Sequence, residues 1–220
     1  KAGGSPSSTQ LTFAHNHFYY GHGMSIGSET DAGLSGMVVT DLSIDGYDSP
    51  NGNGLRIKSD SSRGGSVQNV SYSQICMRNL RRPLVFDPFY SSATGTLYPN
   101  FNGIKLSGVH SLGSAKYGGG LISFAGYALH GQNNPLAITL DNVVFDGKQP
   151  IFDAGHNGGP ATLPANTHFT FGPGAVSFAS AISASASSDI TVTGTPGSST
   201  PVDCSNAFVP LSSVLASSPI

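Results

Sequence analysis

The chain has 220 residues and a formal net charge of -2, and only 10% of its residues are charged, against about 25% in an average globular protein. That balance excludes a general attraction to nucleic acid or anionic membrane, so a polyanion could be met only by a local cluster of cations. No apolar run approaches the roughly 18 residues that span a bilayer. The 29 glycines, 14 prolines and 38% hydrophobic content describe a turn-rich β-protein rather than a disordered chain or a helical bundle.

Short β-branched and aromatic runs recur along the chain, separated by polar turns. In order they cover residues 10–14, 36–40, 42–44, 54–58, 67–72, 83–86, 101–106, 121–124, 137–140, 143–145 and 168–171, with 190–192 a weak last strand. Comparable runs begin at Leu11, Val38, Val67, Ile104, Ile138 and Phe169, at separations of 27, 29, 37, 34 and 31 residues. A period in this range marks an array of stacked units. The spacing predicts an all-β solenoid over residues 1–174, with short strands pairing in parallel between coils. A β-sandwich accounts for the strands but less well for the repeat. Residues 175–220, rich in Ser and Ala, read as a C-terminal cap or tail. No stretch carries sustained helical periodicity.

Cys76 and Cys204 leave a disulfide and two separate buried thiols both open, and neither has metal-ligand spacing. The chain opens on Lys1-Ala2-Gly3-Gly4, with neither a starter methionine nor a signal-peptide pattern.

Three places could carry chemistry. In Gly21-His22-Gly23 the imidazole sits between two residues that offer no shielding side chain, which presents it to a ligand. A turn served by the glycines, with His22 incidental, is the alternative. His15 and His17 read as ordinary surface or stacking residues. In Gly54-Leu55-Arg56-Ile57-Lys58, strand alternation puts Arg56 and Lys58 on one face and Ile57 in the core. Two adjacent cations, in a chain with ten Lys and Arg, form an anion site. A solvated outer face is the alternative. Phe86-Asp87-Pro88-Phe89-Tyr90 offers aromatic surface for a sugar ring, or simple packing over a coil edge.

The order and content of these places resemble the polygalacturonase family of glycoside hydrolases. The family pattern runs Asn-Thr-Asp, Asp-Asp, Gly-His-Gly, Arg-Ile-Lys and then a tyrosine about one coil later. Gly21-His22-Gly23 and Arg56-Ile57-Lys58 match the third and fourth elements, and Tyr90 follows Lys58 by 32 residues. Gly27-Ser28-Glu29 also resembles the family. The resemblance extends to about residue 150. It implies a right-handed parallel β-helix that cleaves α-1,4 galacturonosyl bonds of pectin by inverting hydrolysis. It assigns His22 to the catalytic group and Arg56, Lys58, Tyr90 and Gly23 to substrate binding. It implies a secreted protein, extracellular or periplasmic, acting as a monomer on an acidic polysaccharide without metal or other cofactor. Neither Asn-Thr-Asp nor Asp-Asp occurs in these 220 residues. Lys1-Ala2-Gly3 resembles the strand that follows the Asp-Asp pair, so the expectation is that the chain begins just downstream of its general acid, in a missing N-terminal part. A non-catalytic carbohydrate-binding β-helix, of the adhesin or tailspike kind, is the competing expectation.

Overall fold

The structure, a computed structural model, describes residues 6–154 and 158–217. The segment Lys1-Ala2-Gly3 lies outside them. Strands follow in the order β1 (Ser8–Tyr19), β2 (Met24–Ile26), β3 (Leu34–Asp45), β4 (Asn53–Lys58), β5 (Ser66–Arg78) and β6 (Arg82–Asp87). Then come β7 (Asn100–Ser111), β8 (Leu121–Phe124), β9 (Leu136–Phe145), β10 (Ile151–Phe152), β11 (Thr167–Phe171) and β12 (Ile190–Thr193). Two short helices, α1 (Ala179–Ala184) and α2 (Leu211–Ser217), complete the chain. Both are too short to have left a helical period in the sequence.

The strands form a parallel β-solenoid. The odd-numbered strands, with β12 at the end, build one sheet in the order β1-β3-β5-β7-β9-β11-β12, and the even-numbered ones from β2 to β10 build the other, β10-β8-β6-β4-β2. All these pairings are parallel. Inward positions stack into columns running coil to coil. Leu11 faces Met37, then Val70, Ile104, Ile138, Phe169 and Val192. In the smaller sheet Ile26, Ile57, Phe86 and Phe124 form a second column, with the last two rings stacked at 5.6 Å. Each fully buried aliphatic contributes about 1.5–3 kcal/mol, so the columns set the coil register.

The true register departs from the sequence spacing at Val38 and Val67. Leu11 faces Met37 rather than Val38, and Met37 faces Val70 rather than Val67. Val38 points outward and is 42% exposed. One residue of slip changes the face, and β-branched identity alone does not report which face is buried. The runs at 36–40 and 42–44 are a single strand, bent at Asp41 with φ 50°, and 137–145 is likewise one strand bent at Asn142 with φ 55°. His15, Asp41 and Asn142 occupy one column of left-handed residues, the conformation Asn, Asp and His tolerate best among residues with a side chain.

The core is closed at its C-terminal end by Phe178 and Ile182 of the α1 region, with the Phe178 ring 5.5 Å from Phe145 and 6.5 Å from Phe124. Beyond β12 the chain turns back as a strap across the coils. Asn142 Nδ2 donates to Thr200 O (2.9 Å), His110 Nδ1 to Val202 O (2.7 Å) and Tyr19 Oη to Val209 O (2.8 Å). Cys76 and Cys204 form a disulfide in the middle of this strap, which decides between the two states the sequence leaves open. The cysteines are 128 residues apart in sequence, and cross-linking a loop of that size restricts the unfolded chain strongly. Replacing both cysteines with serine should lower the unfolding free energy by about 2–5 kcal/mol. Urea unfolding checks this, and an unchanged midpoint would contradict it.

Candidate active site

The candidate site lies on the outer face of the smaller sheet. In β4, Leu55 and Ile57 are fully buried in the core, so Arg56 and Lys58 project from the opposite face. The same alternation in β2 buries Met24 and Ile26 and turns Ser25 outward. Register places Ser25 beside Arg56, Arg56 beside Val85, and Lys58 beside Asp87.

Two glycines let β2 lie close to β4. A Cβ on Gly23, where φ is +58°, would stand 2.1 Å from the Asn53 carbonyl oxygen, and one on Gly27 would stand 1.9 Å from that of Lys58. They bracket the three paired residues at either end. Gly23, assigned to substrate binding by the resemblance, thus has a packing role in this geometry: it sets how near the His22 turn comes to the start of β4.

Arg56 is 8% exposed and donates from Nε to Ser25 Oγ (3.0 Å). Ser25 Oγ in turn donates to the His22 carbonyl (2.6 Å). The guanidinium is therefore aimed from the second coil toward the first. Burial presses its pKa downward, opposed by Tyr90 and Asp87 and reinforced by Arg82; a guanidinium nonetheless stays charged. The Lys58 ammonium sits 3.5 Å from the centroid of the Tyr90 ring, a cation–π contact. Hydrogen bonding and charge from Lys58 hold the Tyr90 phenol below its ordinary value. Tyr90 is fixed by its backbone N–H to Ser59 O (2.9 Å), in a turn where Asp87 Oδ1 accepts from Phe89 N (2.8 Å). Of the aromatic run, Phe86 and Phe89 are buried, and only Tyr90 offers an exposed ring.

His22 is exposed on the turn before β2. Its pKa is lowered by desolvation first, then by Arg56 and Lys58. His22, Arg56, Lys58 and Tyr90, spread over 69 positions of sequence, thus form one electrostatically coupled group. His15 and His17 lie elsewhere, on the outer face of the larger sheet, where His15 pairs with Asp41 and His17 Nδ1 with Ser43 Oγ (2.6 Å).

Three features of the site escape sequence reasoning. Ser25 alternates with Met24 and Ile26, but a run of three residues is a strand only by virtue of its pairing with β4. Arg82 Nε meets Asp153 Oδ2 at 3.1 Å, two coils further along, across 71 residues with no local signal. Tyr20 stacks on Tyr47 at 4.5 Å and 19°, both rings partly exposed, two residues before His22.

Comparison with known proteins bears on this arrangement. The model of the family "Glycosyl hydrolases family 28" matches residues 4–118. A polygalacturonase of Ralstonia nicotianae is 65% identical over 96% of the chain and 40% of its own length. One from Ralstonia solanacearum is 62% identical over 100% of the chain and 41% of its own length. Among solved structures, a polygalacturonase from Erwinia carotovora ssp. carotovora superposes with a TM-score of 0.59 at 33% identity, covering 70% of this chain and 38% of that one. The chain spans about two fifths of the length of these curated relatives.

Two outcomes follow from the geometry. Gly23→Ala should lower stability by more than the roughly 1–2 kcal/mol of a left-handed backbone alone, because the carbonyl of Asn53 must also move; a thermal melt equal to the parent's would contradict this. Removing the cations should raise the His22 pKa toward its ordinary value of about 6.5, since positive neighbours disfavour the imidazolium. NMR titration of the imidazole in Arg56→Met and Lys58→Met checks the sign, and an unmoved or lowered value would refute the coupling.

Proposed function

The chain belongs to glycosyl hydrolases family 28, and from that premise we propose that it grips the substrate in a pectin-degrading enzyme that hydrolyses α-1,4 galacturonosyl bonds of polygalacturonate with inversion. Relatives named polygalacturonase support the substrate class. The observation that carries the reading is the Arg56–Lys58 pair, two cations on one face of β4 in a chain of net charge -2. A neutral sugar would need neither. A galacturonate carboxylate accepts two parallel hydrogen bonds from a guanidinium and gains a point charge from an ammonium. Tyr90, its ring held by Lys58, contacts the adjoining sugar.

Inversion needs a general acid and a general base about 6.5–9.5 Å apart, with a water between them. In this proposal residues outside these 220 supply both carboxylates. His22 acts beside them: with its pKa lowered, it is largely neutral near pH 7 and hydrogen-bonds to orient and tune them. The protein works as a secreted monomer. The Cys76–Cys204 disulfide supports an oxidising compartment.

The test is release of reducing ends from polygalacturonate by the intact protein. Arg56→Ala and Lys58→Ala should each lower kcat/KM by about 10- to 100-fold, matching the roughly 1.5–3 kcal/mol of a hydrogen bond to a charged group. No release by the parent would favour a binding-only β-helix. Normal kinetics in either variant would remove the subsite assignment.

A further inference from the structure

A second group of cations lies away from the candidate active site, on the corner turns that lead from the larger sheet into the smaller. Arg81 comes from the turn between β5 and β6, Lys116 from that between β7 and β8, and Lys148 from that between β9 and β10. One cation from each of three successive coils makes a row along the solenoid axis, where paired strands step by about 4.8 Å.

The carboxylates around these turns are engaged elsewhere. Asp45 accepts from Arg78 (2.7 Å) and Asp153 from Arg82 (3.1 Å). Asp48 accepts from Ser114 Oγ (2.5 Å), and Asp146 lies 3.0 Å from His110 Nε2. Among the described residues no carboxylate stands within ion-pair distance of Arg81, Lys116 or Lys148. Arg81 Nη1 donates to Pro50 O (3.3 Å), but that carbonyl neutralises no charge. Three like charges without a carboxylate partner among the described residues, in a chain with ten Lys and Arg in all, repel one another; a ligand's negative charge would relieve that repulsion.

The three side chains border a groove of about 510 Å³ that also carries Tyr117 and the 64% exposed Ile151. Tyr117 is held in place, its hydroxyl donating to Asp48 O (3.3 Å) and its N–H to Ser114 Oγ (2.8 Å). The Lys116 ammonium lies 5.1 Å from the Tyr117 ring centroid. A small anion would call for converging donors. A row of cations beside an aromatic and an aliphatic surface instead fits a polymer that repeats a carboxylate on every ring and presents apolar ring faces between them.

We propose that this groove is a second binding surface for a polyuronate chain, separate from the Arg56–Lys58 site. It rests on the reading of the substrate as polygalacturonate, and holds the polymer while the active site works on another stretch.

The test uses the intact protein, its Arg81→Ala/Lys116→Ala/Lys148→Ala variant, and the milder Lys116→Gln/Lys148→Gln variant, which changes only exposed side chains. Affinity for immobilised polygalacturonate should fall about tenfold in the triple variant and less in the double, with weaker salt dependence, while turnover of a trigalacturonate stays near the parent value. Unchanged polymer affinity in both variants would overturn the second surface. If Arg56→Ala still weakened binding, the functional reading would survive that result. Equal loss of trigalacturonate turnover in the double variant would show that the groove is not separate. A parent without affinity for polygalacturonate would sink the functional reading and this inference together.

Discussion

Because β4 is hydrogen-bonded on both sides, to β2 and to β6, its side chains can only alternate between core and surface. Leu55 and Ile57 fit columns of apolar residues above and below them, which leaves Arg56 and Lys58 facing out. A slip of one residue would turn two charges into the apolar core, at several kcal/mol each, and turn out two aliphatics worth about 1.5–3 kcal/mol each. The fold therefore holds two cations side by side more firmly than surface side chains could hold themselves. Gly23 and Gly27 extend the constraint to the first coil, since their missing side chains let the His22 turn approach β4.

The neighbours inherit their properties from those cations. Lys58 lowers the Tyr90 phenol and places its ring. Desolvation, then Arg56 and Lys58, lower the pKa of His22. The cationic surface proposed to bind a uronate carboxylate thus also disfavours the charged form of its histidine. In the proposed function, binding and tuning thus arise from one arrangement rather than two.

Much of this was legible in the sequence, for a specific reason. Alternation places Arg56, Ile57 and Lys58 correctly from five residues, because strand facing is a local property. Recurrence at about one coil length reveals the solenoid for the same reason. What stayed hidden is set by pairing. Val38 looks like a core residue and is not, since only its partners across the sheet say which face is inside. Asp41 and Asn142 read as breaks between strands, whereas they bend continuous ones. Met24-Ser25-Ile26 is too short to register as a strand alone. Cys76 with Cys204, and Arg82 with Asp153, meet only after several coils are wound. The Ser/Ala-rich tail showed no pattern because its order comes from being strapped across other coils.

In the proposed function Arg56 and Lys58 face a uronate carboxylate. The most direct measurement is the position of the sugars in a crystal of the intact protein with a bound oligogalacturonate. One carboxylate is expected within hydrogen-bond reach of both the Arg56 guanidinium and the Lys58 ammonium, with the Tyr90 ring against an adjoining sugar. An oligosaccharide bound with its carboxylates turned away from both cations would contradict it.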